Sequence, residues 1–452
     1  MTLPATPPKT TDPQTPALQR VLGRWLLTLT GYASVVASGF MIGVGGSAGA
    51  AGPLALVAYW VIGGLATFSI AFCYAELATM FPRCGGIWEY MSQALGEDHP
   101  LTFMMGWIYW FALLFGLNVE LVSVGIYVNE LLPAIPQWVG ALATALLFLI
   151  FNWGGVKLST LVEAGFGAIL VLSFASFILI GIFNIHGENY ANFAPNGVFL
   201  PLLQTLPFVV IAFCGFDVAV TLAEESKDPV RDIPKALITA AAFLTVLFGA
   251  FATVLFGLLP AAELTTSAPL IKAGAMVFGA IGLVWLSVQS FTGSLSTVNG
   301  GVIGQTRMMY ALAREGWLPR ALATVDKRTN APRGALIATG VSMVLVSFLP
   351  LITEKAWQWA GFLGVFGYGL VYATVAGLVI FLRIKRPEIE RPFRTPLYPV
   401  TPIVAIALYL AAIIASGVGV LVVGTVWCVI GVLYYFLVAR RTRATFLARV
   451  AK

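Results

Sequence analysis

The 452-residue chain is 59% hydrophobic, 13% aromatic and only 10% charged, against about 45–50% apolar and about 25% charged residues in a water-soluble domain. A soluble enzyme, a nucleic-acid partner and a disordered chain are excluded together, because too few charges exist to cover a water-facing surface. The net charge of +6 is a matter of placement: of the 26 Lys and Arg, all but Lys272 and Lys355 fall in the two tails, in alternate loops on the tails' side or at the span ends adjoining those loops. That bias follows the positive-inside rule and predicts a multi-pass protein of the cell (inner) membrane with both termini cytoplasmic.

Residues 1–20 hold five prolines and no apolar run, and read as a disordered cytoplasmic tail without a signal-peptide core. A spanning helix needs about 20 mostly apolar residues. Twelve such segments follow: 25–46, 53–78, 101–128, 136–153, 160–183, 201–223, 236–259, 275–311, 333–351, 357–383, 401–420 and 422–439. An even number agrees with both termini lying on one side. The fold class expected is an all-α polytopic membrane protein.

Two segments are oddly built. The first is dense in small residues, Gly31-Tyr-Ala-Ser-Val-Val-Ala-Ser-Gly39, and the sixth carries Phe213-Cys-Gly215-Phe-Asp217 near mid-membrane. They open two five-helix halves, about 25–183 and 201–383. Interruptions at matching places in two halves point to a binding site between inverted repeats. Short stretches after the second and seventh segments, 86–96 and 269–278, echo the same symmetry on opposite faces. The expected division is therefore a core over 21–395, and helices 11 and 12 with a basic cytoplasmic tail over 396–452. Cys73, Cys84, Cys214 and Cys428 show no ligand spacing, and His99 and His186 are the only histidines. No resident cofactor or metal is expected.

Several stretches together resemble the amino acid–polyamine–organocation transporter superfamily. They are Ala37-Ser38-Gly39, Tyr74-Ala-Glu76-Leu-Ala-Thr-Met-Phe-Pro82-Arg-Cys-Gly-Gly86, Ala223-Glu-Glu225-Ser-Lys-Asp-Pro229-Val-Arg-Asp-Ile-Pro234, Arg307-Met-Met-Tyr310-Ala-Leu-Ala-Arg314-Glu-Gly-Trp-Leu-Pro319 and Arg391-Pro-Phe-Arg-Thr-Pro-Leu-Tyr-Pro399. The resemblance runs from about Leu22 to the C-terminus. It implies a five-plus-five inverted-repeat fold with broken helices 1 and 6 and two further helices. It also implies alternating access, and transport of amino acids or related amines driven by protons, sodium or exchange, by a monomer or homodimer.

Unwound stretches inside a membrane leave amides and carbonyls that must face a cavity. The amides at Ser38 and Gly39 begin a half-helix whose positive end suits a carboxylate, and carbonyls near Val36 suit an ammonium. The sixth segment offers the same pair, carbonyls near Phe213 and amides from Gly215 to Asp217. The expected substrate-binding set is Val36, Ala37, Ser38, Gly39, Asn118, Glu120, Ile211, Phe213, Cys214, Gly215 and Phe216. Ile211 stands where many members of the superfamily have a bulky aromatic gate. Trp357, Trp359 and Phe362 are further aromatic candidates.

Acids within spans are functional candidates by default. Asp217 and Glu120 are the first choices for groups whose protonation is linked to transport, with Glu163 a third. The Trp107-Ile-Tyr-Trp110 to Glu120 spacing resembles the bacterial amino-acid permease branch. Glu76 reads as an ion-paired anchor or gate. Many relatives carry a lysine midway along the fifth segment; here that position is Leu170, and 158–226 contains no lysine. The expected mode is proton-coupled symport; the alternatives are sodium-coupled symport, with Ala33, Val36, Ser296 and Thr297 as the candidate sodium site, and obligatory amino acid or amine exchange. A non-transporting substrate sensor is the alternative class.

Overall fold

The computed structural model describes residues 38–83, 85–153, 156–221, 226–265, 269–326 and 331–450, with Gly23, Trp25, Leu27, Thr28, Gly31, Val35, Val36 and Ala223 as separate positions. The 1–20 tail, Ala33, Ala37 and Cys84 lie outside the described residues, as do the side chains of Ser38 and Glu163. Every regular element described is helical. Among the described residues, eight helical runs are long and apolar enough to cross a bilayer, and Gln137–Trp153 and Val400–Ala415 are shorter apolar helices. Outward residues such as Ile150, Ile414 and Leu345 are about 70% exposed and apolar, as a lipid-facing surface requires.

In chain order the principal helices are α1 (Ser38–Ala51), α2 (Gly64–Met80), α3 (Ile87–Leu95), α4 (Pro100–Leu131), α5 (Gln137–Trp153), α6 (Val156–Gly181), α7 (Phe199–Phe213), α8 (Val218–Thr221) and α9 (Pro229–Leu258). They continue with α10 (Pro269–Phe278), α11 (Ala280–Arg314), α12 (Arg333–Ser347), α13 (Ala356–Lys385), α14 (Val400–Ala415), α15 (Val418–Tyr434) and α16 (Arg440–Val450). Proline at the first position starts α4 and α9, where its missing N–H costs nothing. His99 and Asp228 cap them by accepting from Leu101 N and Arg231 N at 3.2 and 3.3 Å.

Helical structure is nearly continuous from 38 to 80, yet the chain turns back on itself. The rings of Phe40 and Tyr59 meet edge-on at 5.5 Å, whereas 19 residues of straight helix rise about 28 Å. The reversal falls at the 3₁₀ turn Gly52–Leu54, between the first and second expected segments. The expected eighth segment, 275–311, needs correcting. Gly279 has φ 63°, a left-handed conformation that ends α10 and lets α11 start afresh at Ala280. The basic stretch after residue 439 is helical, because α15 runs through Tyr435–Ala439 into α16.

Two long helices, α4 and α13, form the spine of the molecule. Their backbones approach so closely at Gly116 and Gly364 that a methyl group on Gly364 would lie 2.5 Å from the Gly116 Cα. Small residues permit such contact between membrane helices. At the arginine-rich end, Glu76 on α2 accepts from Arg383 Nε and Nη2 at 2.9 and 2.6 Å, and from Thr395 N at 2.7 Å. Arg391 approaches the same carboxylate at 3.5 Å. Glu76 is thus the expected ion-paired anchor, joining α2 to α13 and the loop that follows it. On α16, buried Arg443 reaches Glu97, Asp98 and Glu315 at 2.8, 3.1 and 3.4 Å, tying the last helix to the α3–α4 junction and the end of α11.

Candidate functional site

Both interruptions expected from the sequence are present. Gly31 is helical, Val35 and Val36 are not, and α1 begins at Ser38. In the other, α7 ends at Phe213, Cys214 is extended and Gly215 has φ 107°, and α8 resumes at Val218. Glycine is required there, since L side chains rarely adopt that φ. The two breaks are neighbours: a methyl group added at Gly31 would touch the Phe216 carbonyl at 3.4 Å.

Between the breaks lies a cavity of about 20 Å³, lined by Val35, Gly39, Glu120, Ile211, Cys214, Thr297 and Trp357 among others. That is room for about one water. Gly39 N–H at the start of α1 donates to both Glu120 carboxylate oxygens at 3.1 Å, and Ser294 on α11 donates to Oε2 at 2.6 Å. A side chain at Gly39 would run into the Glu120 carboxyl group and lie 3.1 Å from Trp357 Nε1. Trp357 is fixed by its indole N–H, which donates to Ser123 Oγ at 3.1 Å.

Below the second break sits a separate polar cluster. Asp217 Oδ1 accepts from Tyr372 on α13 at 2.6 Å, and Oδ2 accepts from Tyr109 on α4 at 3.0 Å and Tyr74 on α2 at 3.3 Å. The Tyr372 hydroxyl also accepts from Gly215 N at 3.1 Å. Three helices are thereby fastened to the broken one through a single buried carboxyl group.

A model of the family described as "Amino acid permease" matches residues 22–438. The chain belongs to that family. It is similar to a branched-chain amino acid permease of Bacillus subtilis, 30% identical over 94% of each chain. It is also similar to a methylthioribose transporter of the same organism, 28% identical over 94% of each chain. A human large neutral amino acids transporter small subunit is 27% identical over 89% of this chain and 77% of its own.

Within this family member, Gly39, Glu120, Ile211 and Cys214 of the expected binding set share the cavity, and Thr297 joins them. Val36 is buried beside the lining residue Val35. Phe213 instead packs edge-on against Phe248 at 5.1 Å, and Phe216 lies by Tyr372 at 6.4 Å. Phe362 meets Phe208 edge-on at 4.9 Å, and Trp359 packs toward Gly419 of α15. Asn118 and Ser296 are fully buried but do not line the cavity. Asp217 is likewise outside the lining. Sequence reasoning missed Ser294, Ser123 and the three tyrosines; their only signal is a hydroxyl inside an apolar span, which usually bonds to its own preceding turn.

Proposed function

We propose that the chain is a secondary transporter that moves amino acids or related amines across the cell membrane by alternating access, with proton-coupled symport as its mode. Membership of the amino acid permease family supports the substrate class. The observation that carries the reading is the pair of interrupted helices facing one cavity, with the amide end of α1 directed into it. Such an end attracts anionic groups, and a nearby carbonyl end attracts an ammonium.

The Asp217 cluster supplies the second part. Hydroxyls from α2, α4 and α13 close around the second break, which suits an inner closure that must open for release. The Glu76–Arg383 pair stands further toward the arginine-rich, cytoplasmic face. In this reading the two five-helix halves rock about the cavity. Because Thr297 offers a hydroxyl without a partner among the described residues, sodium drive is the second reading, separated by uptake in choline buffer.

The test is counterflow in liposomes loaded with unlabelled amino acid or amine and given the labelled compound outside. Accumulation of at least one compound is expected, lost on collapse of the pH gradient for net uptake but kept for exchange. No counterflow across all proteinogenic amino acids and common amines would overturn the reading.

A further inference from the structure

The amide at the start of α1, suited to a substrate carboxylate, already holds one from the chain itself. Gly39 N–H faces both Glu120 oxygens at 3.1 Å, and Ser294 donates to one of them at 2.6 Å. Glu120 and Gly39 also line the cavity where a ligand would sit. One N–H cannot serve two anions, and two carboxylates at the same helix end repel each other.

We propose that Glu120 is a stand-in for the substrate carboxylate: an amino acid binds by displacing it from Gly39, and Glu120 takes one proton from water as it leaves. This rests on the transport reading above and adds to it the group that couples and the substrate feature that triggers it. The charge balances. One carboxylate occupies the amide before and after, and the displaced one becomes a neutral acid, so no second negative charge enters a buried site.

The released acid has somewhere to go. Thr297 lies three residues beyond Ser294, on the same face of α11. It lines the same cavity, is 3% exposed, and its hydroxyl has no partner among the described residues. A protonated Glu120 can therefore exchange Ser294 for Thr297 one turn away, donating where it had accepted.

The neighbouring elements bring few other titratable groups. Residues 38–51 of α1, 199–213 of α7 and 280–306 of α11 contain no Asp, Glu, Lys, Arg, His, Cys or Tyr. The remainder include Cys214 and Asp217 after α7, Tyr368, Tyr372, Arg383 and Lys385 on α13, Tyr109, Tyr127 and Glu130 on α4, Arg307, Tyr310 and Arg314 at the far end of α11, Tyr59 and Tyr74 after α1, and Lys157 and Glu163 near the start of α6. Asp217 is engaged by its three tyrosines. Glu120 is the carboxyl group that shares an amide with the ligand.

A ligand that lacks a carboxylate makes the opposite forecast. An amine would leave Glu120 on Gly39 and take its negative charge as a partner, with no proton exchanged. The experiment compares amino acids with their decarboxylated amines: leucine with 3-methylbutylamine, histidine with histamine, ornithine with putrescine. Binding to the full chain in detergent is measured by calorimetry in two buffers of different ionisation enthalpy, which counts protons directly. For the amino acid of a binding pair, uptake of about one proton is expected, with affinity falling about tenfold per pH unit once Glu120 is ionised. For the amine, no proton is taken up. Glu120→Gln should still bind the amino acid, with no proton uptake and a flat pH profile; a merely structural role would weaken both ligands and leave the proton count unchanged. Amino acid binding without proton uptake in the unaltered chain, or uptake persisting in Glu120→Gln, overturns the proposal. If no probe binds and none gives counterflow, the transport reading itself falls and takes this one with it.

Discussion

Asp217 and Glu120 are both about 97–98% buried carboxyl groups, but they are held in different ways. Asp217 collects hydroxyls from three separate helices and does not line the cavity between the breaks. Glu120 meets a backbone amide and a serine hydroxyl at the edge of a cavity. The first arrangement spreads one acceptor over three elements, so that moving it unfastens all of them. The second puts an acid on an amide that another anion could use. Burial alone would have ranked the two equally; their donors separate a fastening from an exchangeable contact.

The largest effect should come from removing the fastening. Asp217→Ala strands three buried phenols at about 1–3 kcal/mol each, and thermal unfolding in detergent should show a loss of roughly 3 kcal/mol or more. Near-native stability would mean that the tyrosines find other partners and that Asp217 is no fastening. Tyr372→Phe should cost about 1.5–3 kcal/mol, because its hydroxyl bonds Asp217 at 2.6 Å and also accepts from Gly215. Tyr74→Phe removes the longest of the three bonds, at 3.3 Å, and should cost about 1 kcal/mol or less. If the order of these two is reversed, bond length is a poor guide to their contributions. Glu120→Gln should shift stability least, by less than about 1 kcal/mol, since an amide oxygen can still accept from Gly39. Its effect belongs in binding. A large fall in melting temperature would place Glu120 with Asp217 as a fastening and erase the contrast.

Much of the architecture was readable before any coordinates. Small residues at 37–39 and the Gly215–Asp217 stretch marked both breaks, because membrane backbone can unwind only where a cavity accepts its polar groups. The anchor at Glu76 was readable too, since a carboxylate at the end of an apolar span demands a cation. What escaped was orientation. Phe213 and Trp357 are equally apolar in sequence, yet one packs on Phe248 and the other lines the cavity. Period alone does not tell which face of a fully buried helix meets a site. Asp217 was read as a group whose protonation is linked to transport; its partners, tyrosines on three other helices, were not foreseen, because such convergence of distant residues leaves no local signal. The start of α11 was misplaced because the 269–311 stretch stays apolar through Gly279, and only a left-handed glycine divides it.

The size of the cavity has a kinetic consequence. Room for about one water cannot admit an amino acid, so in this conformation every ligand waits for the walls around Trp357 and Ile211 to part. Association is then a gated process. At low concentration the observed rate should rise with ligand in the usual way, and at high concentration it should level off at the opening rate. All ligands of one site would share that plateau, however different their affinities, and would differ instead in how slowly they leave.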